Sequence, residues 1–192
     1  MFRVTLYGEP VLRTQGRPVT TFDDELQATV DEMIETMYEA NGIGLAAQQV
    51  GLDLQLCVVD VMPEEGPIPF QFKLDGAQPD PDQWMPFALC NPKVTILPGE
   101  EEVMEEGCLS FPEVRGEVSR PSRIEVSFQD TNGDSHCLQC DGLLARCILH
   151  EVDHLNGVLF IDHMSEQDLK KADRTLKLIK KRARKLMDGE PA

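Results

Sequence analysis

The chain has 192 residues, a length that suits one domain with a sizeable core. Its net charge of −16 is unevenly distributed, because nine of the eighteen lysines and arginines lie within residues 165–192 and leave the rest strongly acidic. An acidic body is unsuited to binding DNA, and no apolar run is long enough to predict a membrane span or a signal peptide. We therefore expect a cytoplasmic protein whose six cysteines are thiols or metal ligands rather than disulfides.

The first fifty residues predict an extended arm, a helix and a glycine-containing loop. Residues 7–18 contain too many turn formers for a long element. A helix is predicted to begin at Asp23 or Asp24, and Asn41-Gly42 provides its end. Residues 42–51 follow with two glycines and several small residues, which permit close approach of the backbone to a neighbour or a ligand. No Lys-Ser/Thr pair follows, so the similarity to a phosphate-binding loop is superficial.

Two strands are predicted on either side of an irregular segment in the middle of the chain. Residues 55–61 and 93–97 have the β-branched content and the length of strands. Residues 62–86 between them are rich in Pro, Asp, Glu and Gln. We interpret this segment as a surface insertion rather than a lid, attached to the body by Phe70 and Trp84.

A β-hairpin is predicted after the acidic stretch that leads to Cys108. Residues 123–130 and 135–140 read as strands joined by the turn signal Asn132-Gly133. Cys137 and Cys140 lie in the second of these strands, three residues apart. Because side chains alternate between the two faces of a strand, this spacing points the two thiols in opposite directions and argues against a second metal site.

Two helices are predicted to complete the chain. The first covers 142–155, capped by Asp141 and ended by Gly157, and the second begins after Ser165 with Asp168 in capping position. The second helix has an apolar seam and basic outer faces, which suit either a solvated surface or a handle for an anionic partner such as the ribosome. We divide the chain accordingly into a catalytic unit at 1–164 and a basic C-terminal helix with a short tail at 165–192. The seam consists of Leu169, Ala172, Leu176, Ile179, Ala183 and Leu186.

The most informative motif is His150-Glu151-Val152-Asp153-His154. Histidines four residues apart lie on one helical face, where both imidazoles can bind one metal ion beside the carboxylate of Glu151. The alternative is an amphipathic helix with solvated histidines. A catalytic metal site also needs a third protein ligand and an open position.

Several residues are candidates for this third ligand. In one peptidase pattern the ligand is a histidine six residues after the second one, but Phe160 occupies that position here and His163 lies too far along. Glu166 is closer in sequence than the helical-peptidase alternative requires. Cys108 is more attractive, because a thiolate binds zinc or ferrous iron well.

Three separate blocks resemble the peptide deformylase family of bacterial type. They are residues 42–49, residues 106–110 and the His150–His154 motif, in the family's order, and the similarity extends from about Tyr7 to the C-terminal helix. The resemblance implies that Cys108, His150 and His154 hold the metal and that Glu151 is the general acid and base. It also implies that the amide of Gln49, rather than that of Gln48, joins the backbone N–H of Leu109 in polarising the formyl oxygen.

The resemblance also implies an apolar pocket for the methionine side chain, with Ile43 and Gly44 on one side of it. Leu143, Arg146 and Cys147 lie one or two turns before His150 on its helical face, so they should border the metal cavity. Arg146 departs from the aliphatic residue often found at this position. We expect its stem to line the wall and its charged head to point outward.

These observations predict an α+β fold with antiparallel sheets around a central metal-binding helix and flanking N- and C-terminal helices. The function implied by the resemblance is hydrolytic removal of the formyl group from the N-terminal methionine of nascent polypeptides, with release of formate. One divalent ion is expected, with Fe²⁺ favoured and Zn²⁺ or another metal as a substitute. The rival interpretations are a metallopeptidase and a ribosome-associated module without catalysis.

Overall fold

The computed structural model describes residues 1–63, 65–66 and 68–189. The final residues of the expected short tail, 190–192, lie outside this range, as do two positions of the 62–86 segment. The described residues form three α-helices and eight strands. The helices are α1 (Asp24–Glu39), α2 (Gly142–Leu155) and α3 (Glu166–Met187). The strands are β1 (Gly44–Ala46), β2 (Leu56–Val59), β3 (Phe72–Leu74), β4 (Phe87–Ile96), β5 (Glu101–Gly107), β6 (Arg115–Pro121), β7 (Arg123–Gln129) and β8 (Ser135–Asp141).

Six strands form one antiparallel sheet in the order β1-β2-β4-β7-β8-β3. β4 begins at Phe87, before the strand predicted at residues 93–97, and has a shift in register between Cys90 and Lys93. Asn91 produces this shift, since it adopts a left-handed backbone conformation (φ 54°). Its Oδ1 atom accepts a hydrogen bond from the N–H of Val19, and its Nδ2 atom donates one to the carbonyl oxygen of Val19. The predicted β7–β8 hairpin and its turn are confirmed.

β5 and β6 form a separate two-stranded sheet. The sequence does not predict it, because β5 corresponds to the acidic run before Cys108 and its first five residues are exposed. β6 buries one face, which consists of Gly116, Val118 and Arg120 and so contains a single large apolar side chain. A strand whose side chains mostly face solvent has no apolar alternation to identify it. β5 ends at Gly107, so Cys108 begins the connection to β6 and lies beside α2.

The central helix α2 packs against the six-stranded sheet. Leu144, Ala145 and Ile148 are completely buried and face an apolar layer contributed by β2, β4, β7 and β8. A second apolar layer lies between α1 and the β1–β2 end of the sheet. The predicted α+β architecture, with antiparallel sheets packed around a central helix, is therefore confirmed.

The two flanking helices follow their predicted caps. Asp23 accepts a hydrogen bond from the backbone N–H of Leu26 at the start of α1. Ser165 accepts one from the N–H of Asp168 at the start of α3, whose Ile179 and Ala183 are buried in a third apolar cluster that also contains Val118. The division of the chain into 1–164 and 165–192 stays a prediction. No helix among the described residues has the length and hydropathy needed to cross a membrane.

Two local expectations were wrong. Segment 62–86 is not wholly irregular, because it contains β3, which pairs with β8 at the edge of the large sheet. The side chain of Asp141 does not cap α2. It accepts a hydrogen bond from the backbone N–H of Gln71 instead (2.6 Å), so that it ties this segment to the start of the helix.

Candidate active site

The helix α2 and the turn after β5 bring together three side chains that could bind one metal ion. His150 and His154 lie one turn apart on the buried face of α2, with ring centroids separated by 5.1 Å. The Sγ atom of Cys108 lies 3.2 Å from Nε2 of His154. One ligand atom from each of the three residues lies within 4.8 Å of the others. This cluster is the only such group found in the described part of the chain.

The donor set fits a divalent metal ion. Neighbouring S and N ligands of a tetrahedral zinc site are roughly 3.5 Å apart, close to the separation of Cys108 and His154. Nδ1 of His150 bonds a carboxylate oxygen of Glu106 at 3.0 Å, which leaves Nε2 free to bind metal. Burial lowers the pKa of His154 well below its usual value, so its imidazole is neutral as a ligand must be. A thiolate with two imidazoles suits zinc or ferrous iron.

Glu106 anchors a buried charge network behind His150. Besides the imidazole, its carboxylate accepts hydrogen bonds from Arg120 (2.8 and 3.0 Å) and from Arg146 (2.7 Å). Burial opposes the charged form, but the bonds from His150 and Arg120 prevail and lower the pKa of Glu106 to about 2. Arg120 also bonds Asp153 on α2. The negative charge of Glu106 is thus permanent and fixes a proton on Nδ1 of His150.

Glu151 lies beside the three ligands and has the features of a general base. It is almost completely buried, and burial raises the pKa of its carboxyl to about 7. Its Oε2 atom has no hydrogen-bond partner among the described residues. Gly44 of β1 packs directly against the other carboxylate oxygen. A carboxyl group whose pKa lies near neutrality accepts and returns a proton readily.

The structure distinguishes the two adjacent glutamines. The Oε1 atom of Gln49 accepts a hydrogen bond from the N–H of Ala46 (2.7 Å), which turns the NH₂ group of this amide toward the Cys108 sulfur (3.3 Å). The Nε2 atom of Gln48 instead lies 3.5 Å from the carbonyl oxygen of Leu54. Gln49 is therefore the one that presents its donor to the site.

A cavity of about 740 Å³ opens beside the ligands. All of the substrate-binding residues expected from the sequence line it, and so do Gln49, Leu109 and Glu151. Ile43 forms part of its mouth and is half exposed. The expected substrate-binding residues are Ile43, Gly44, Leu143, Arg146 and Cys147.

Two features differ from the sequence analysis. The head of Arg146 does not reach solvent, because its guanidinium is buried against Glu106 and backbone carbonyl oxygens of the β5–β6 hairpin. The roles of Glu106, Arg120 and Asp153 were not predicted from the sequence. Only Glu106 carried a signal, namely its place directly before Gly107-Cys108. Nothing in the local sequence marks Arg120 as the partner of this carboxylate.

Comparisons with known proteins point to a single family. A family model described as polypeptide deformylase matches residues 1–170. The peptide deformylase of Opitutus terrae is 50% identical over 193 residues, which cover 99% of this chain and 98% of the relative. The peptide deformylase of Chromohalobacter salexigens is 45% identical, with 93% and 92% covered.

Solved structures give the same result. The crystal structure of the peptide deformylase from Thermus thermophilus has a TM-score of 0.80 at 34% identity and covers 95% of this chain and 99% of its own. That from Synechococcus elongatus, in complex with actinonin, has a TM-score of 0.76 at 42% identity, with 90% and 86% covered.

Proposed function

This chain belongs to the polypeptide deformylase family, and we propose on that basis which of its residues carry the reaction. It is a metal-dependent hydrolase that removes the N-formyl group from the N-terminal methionine of newly synthesised polypeptides and releases formate. Family membership decides against the metallopeptidase interpretation. Cys108, His150 and His154 hold the metal. The observation that carries this assignment is the convergence of their ligand atoms within 4.8 Å.

The chemistry divides among residues that line one cavity. When bound, a divalent ion at this site supplies Lewis-acid activation of water near neutral pH. Glu151 accepts a proton from the attacking water and returns it to the leaving amine as the carbon–nitrogen bond breaks. The amide of Gln49 and the backbone N–H of Leu109 stabilise the negative charge that develops on the formyl oxygen. The methionine side chain is enclosed by Ile43, Gly44, Leu143, Arg146 and Cys147.

Replacement of Glu151 by Gln tests this division of roles. The protein is prepared anaerobically and loaded with Fe²⁺, and formate release from a formyl-methionyl peptide is measured together with bound metal. We expect Glu151→Gln to lower kcat at least about 100-fold while one metal ion is retained, because the amide cannot accept the proton. Glu35→Gln is a matched control, since Glu35 is an exposed glutamate on α1. Unchanged formate release in Glu151→Gln would refute the role of Glu151.

The physiological metal is ferrous iron in this proposal, with Zn²⁺ as a less active substitute. A Cys/His/His ligand set accommodates either ion, and the resemblance to bacterial deformylases favours iron. Metal analysis of protein purified without oxygen, paired with activity after reloading with Fe²⁺ or Zn²⁺, tests this preference. Higher formate release per bound ion with Zn²⁺ would contradict it.

The protein acts in the cytoplasm and binds the ribosome through the basic faces of α3. The seam of α3 packs against the body, with Ile179 and Ala183 buried and its other residues partly buried, while the lysines and arginines of α3 are exposed. Phosphate backbones bind such surfaces through charge, with an affinity that falls as salt rises. Deletion of α3 would uncover the apolar residues against which Ile179 and Ala183 pack, such as Val118, so substitution of exposed residues is the sharper test.

A pair of charge-reversal variants distinguishes ribosome binding by α3 from an effect of the protein's net charge. The test variant is Lys181→Glu, Arg182→Glu and Lys185→Glu, and the control is Lys73→Glu, Lys93→Glu and Arg123→Glu, which reverses three exposed cations elsewhere. We expect weaker and less salt-dependent co-sedimentation with ribosomes for the first variant only. Equal binding of the two variants to ribosomes would refute the proposal that α3 binds the ribosome.

A further inference from the structure

Arg146 is a buried cation that the proposed reaction uses only as part of the cavity wall. It lies one helical turn before His150 on the same face of α2, and its side chain is 7% exposed. A buried guanidinium needs a partner for nearly every N–H, and removing its partners is costly. Because Arg146 lies beside a proposed metal ligand, the groups that it bonds can affect the geometry of the metal site.

The guanidinium of Arg146 binds both strands of the β5–β6 hairpin. Nη1 donates to the carboxylate of Glu106 (2.7 Å) and to the carbonyl oxygen of Val118 on β6 (3.1 Å). Nη2 donates to the carbonyl oxygen of Glu102 on β5 (2.6 Å). The planar fork of an arginine is suited to such divergent acceptors, whereas a lysine ammonium acts as a point charge.

Glu106 transmits this contact to the metal site. Its Oε1 atom accepts from Arg146 and Arg120, and its Oε2 atom accepts from Arg120 and from Nδ1 of His150. Arg120 is shared between Glu106 and Asp153 of α2. Arg146 lies on α2 itself, and its hydrogen bonds link this helix to Glu106 and to the backbones of both hairpin strands.

We propose that Arg146 is a positioning residue that, through Glu106, fixes the orientation of His150, while its aliphatic stem forms part of the wall of the substrate cavity. One side chain thus serves the geometry of the metal ligand and the fit of the substrate side chain. The inference rests on the proposed ligand set of Cys108, His150 and His154. It concerns a position where the sequence predicts an outward-pointing charge.

Two substitutions separate the functions of the head and the stem. Arg146→Met keeps an unbranched apolar stem and loses the fork, and Arg146→Ala loses both. We expect Arg146→Met to weaken Zn²⁺ binding about 10- to 100-fold, as for other groups that orient a metal-bound histidine. Its preference between formyl-methionyl and formyl-phenylalanyl peptides, as the ratio of kcat/KM values, should stay unchanged. Arg146→Ala should weaken Zn²⁺ binding equally and shift this ratio toward phenylalanine, because the cavity widens.

The measurement is Zn²⁺ affinity by competition with a chromophoric chelator, on samples whose folded state is checked by near-UV circular dichroism. Arg123→Met is the matched control, since Arg123 is an exposed arginine on β7. If Arg146→Met does not fold, Arg146→Lys replaces it. We expect its Zn²⁺ affinity to be lower than that of wild type, because an ammonium group cannot reproduce the planar fork. Wild-type Zn²⁺ affinity in folded Arg146→Met or Arg146→Lys overturns the proposal.

A double-mutant cycle tests whether the effect passes through Glu106. In a Glu106→Gln background, Arg146→Met should cost less Zn²⁺ affinity than it does in wild type, because the link is already weakened. Equal costs in both backgrounds overturn the route through Glu106 and leave Arg146 a structural residue. Failure of the wild-type protein to bind one Zn²⁺ is a different result, which refutes the proposed ligand set.

Discussion

Replacement of Gly44 by Ala tests how closely β1 is fitted to the catalytic carboxylate. A Cβ atom at this position would lie 2.5 Å from Oε1 of Glu151 and 2.7 Å from Sγ of Cys147, where real Cβ contacts essentially never fall below 3.0 Å. Both neighbours project from the same face of α2. The methyl group can therefore be accommodated only if Glu151 moves or β1 shifts away from the helix.

Either movement damages the proposed machinery. Glu151 would have to move by at least the difference between 2.5 and 3.0 Å, and a shift of β1 carries with it Ala46, whose N–H orients the Gln49 amide. A misplacement of about 1 Å in an active site costs roughly 100-fold in rate. We expect Gly44→Ala to lower kcat about 10- to 100-fold and the free energy of unfolding by about 1–3 kcal/mol, the usual cost of overpacking.

Formate release under saturating substrate measures the first quantity, and urea unfolding of the metal-loaded protein measures the second. Gly42→Ala is the control, because its Cβ would meet only the end of the Leu109 side chain at less than 3.0 Å, and this group can rotate. We expect a smaller loss of kcat in Gly42→Ala. A Gly44→Ala variant with wild-type kcat and full metal content would refute the close fit between β1 and Glu151.

Two further predictions concern pH and metal removal. Burial opposes charge on His136, but the carboxylates of Asp75 and Asp130 raise its pKa above 6.5, so its contribution to stability is complete below pH 6.5 and is lost as pH rises through the folded-state pKa. The difference in unfolding free energy between wild type and His136→Gln should thus shrink as the pH rises above about 6.5, and a constant difference would contradict this. Chelation of the metal should expose Cys108 to iodoacetamide, whereas Cys57 and Cys147 stay unlabelled in the folded protein, because burial raises both thiol pKa values well above their usual range. Mass spectrometry of labelled peptides detects this, and equal labelling of Cys108 with and without metal would argue against its role as a ligand.

The helices could be predicted well from the sequence because local signals determine them. The Asp23 and Ser165 caps, the left-handed Asn41 and Gly157, and the apolar faces act within a few residues. The β7–β8 hairpin was equally accessible through its Asn-Gly turn. β3 and β5 were not, because β3 has only three residues and β5 is exposed along most of its length. Such strands are defined by their partners across the sheet rather than by their own composition.

The candidate site, too, could be predicted only where local sequence signals mark its residues. The spacing of His150 and His154 and the resemblance of three sequence blocks indicated the ligands and Gln49. The charge network could not be predicted, because Arg120, Arg146 and Glu106 belong to different elements and meet only through the docking of the β5–β6 hairpin on α2. For Arg146, general chemistry favours an exposed head, and only the folded hairpin offers three buried acceptors to it.

The origin of the third ligand explains why this network is needed. Cys108 directly follows β5 and reaches the histidines from there. β5 buries little apolar surface, since the side chains of Val103 and Met104 remain exposed. Apolar burial on β5 therefore contributes little to holding Cys108 in place. Glu106, two residues before Cys108, is held by Arg120, Arg146 and His150 at distances of 2.7 to 3.0 Å. The same carboxylate thus positions the strand that delivers the thiolate and the imidazole that it faces, so the placement of two metal ligands depends on one buried charge.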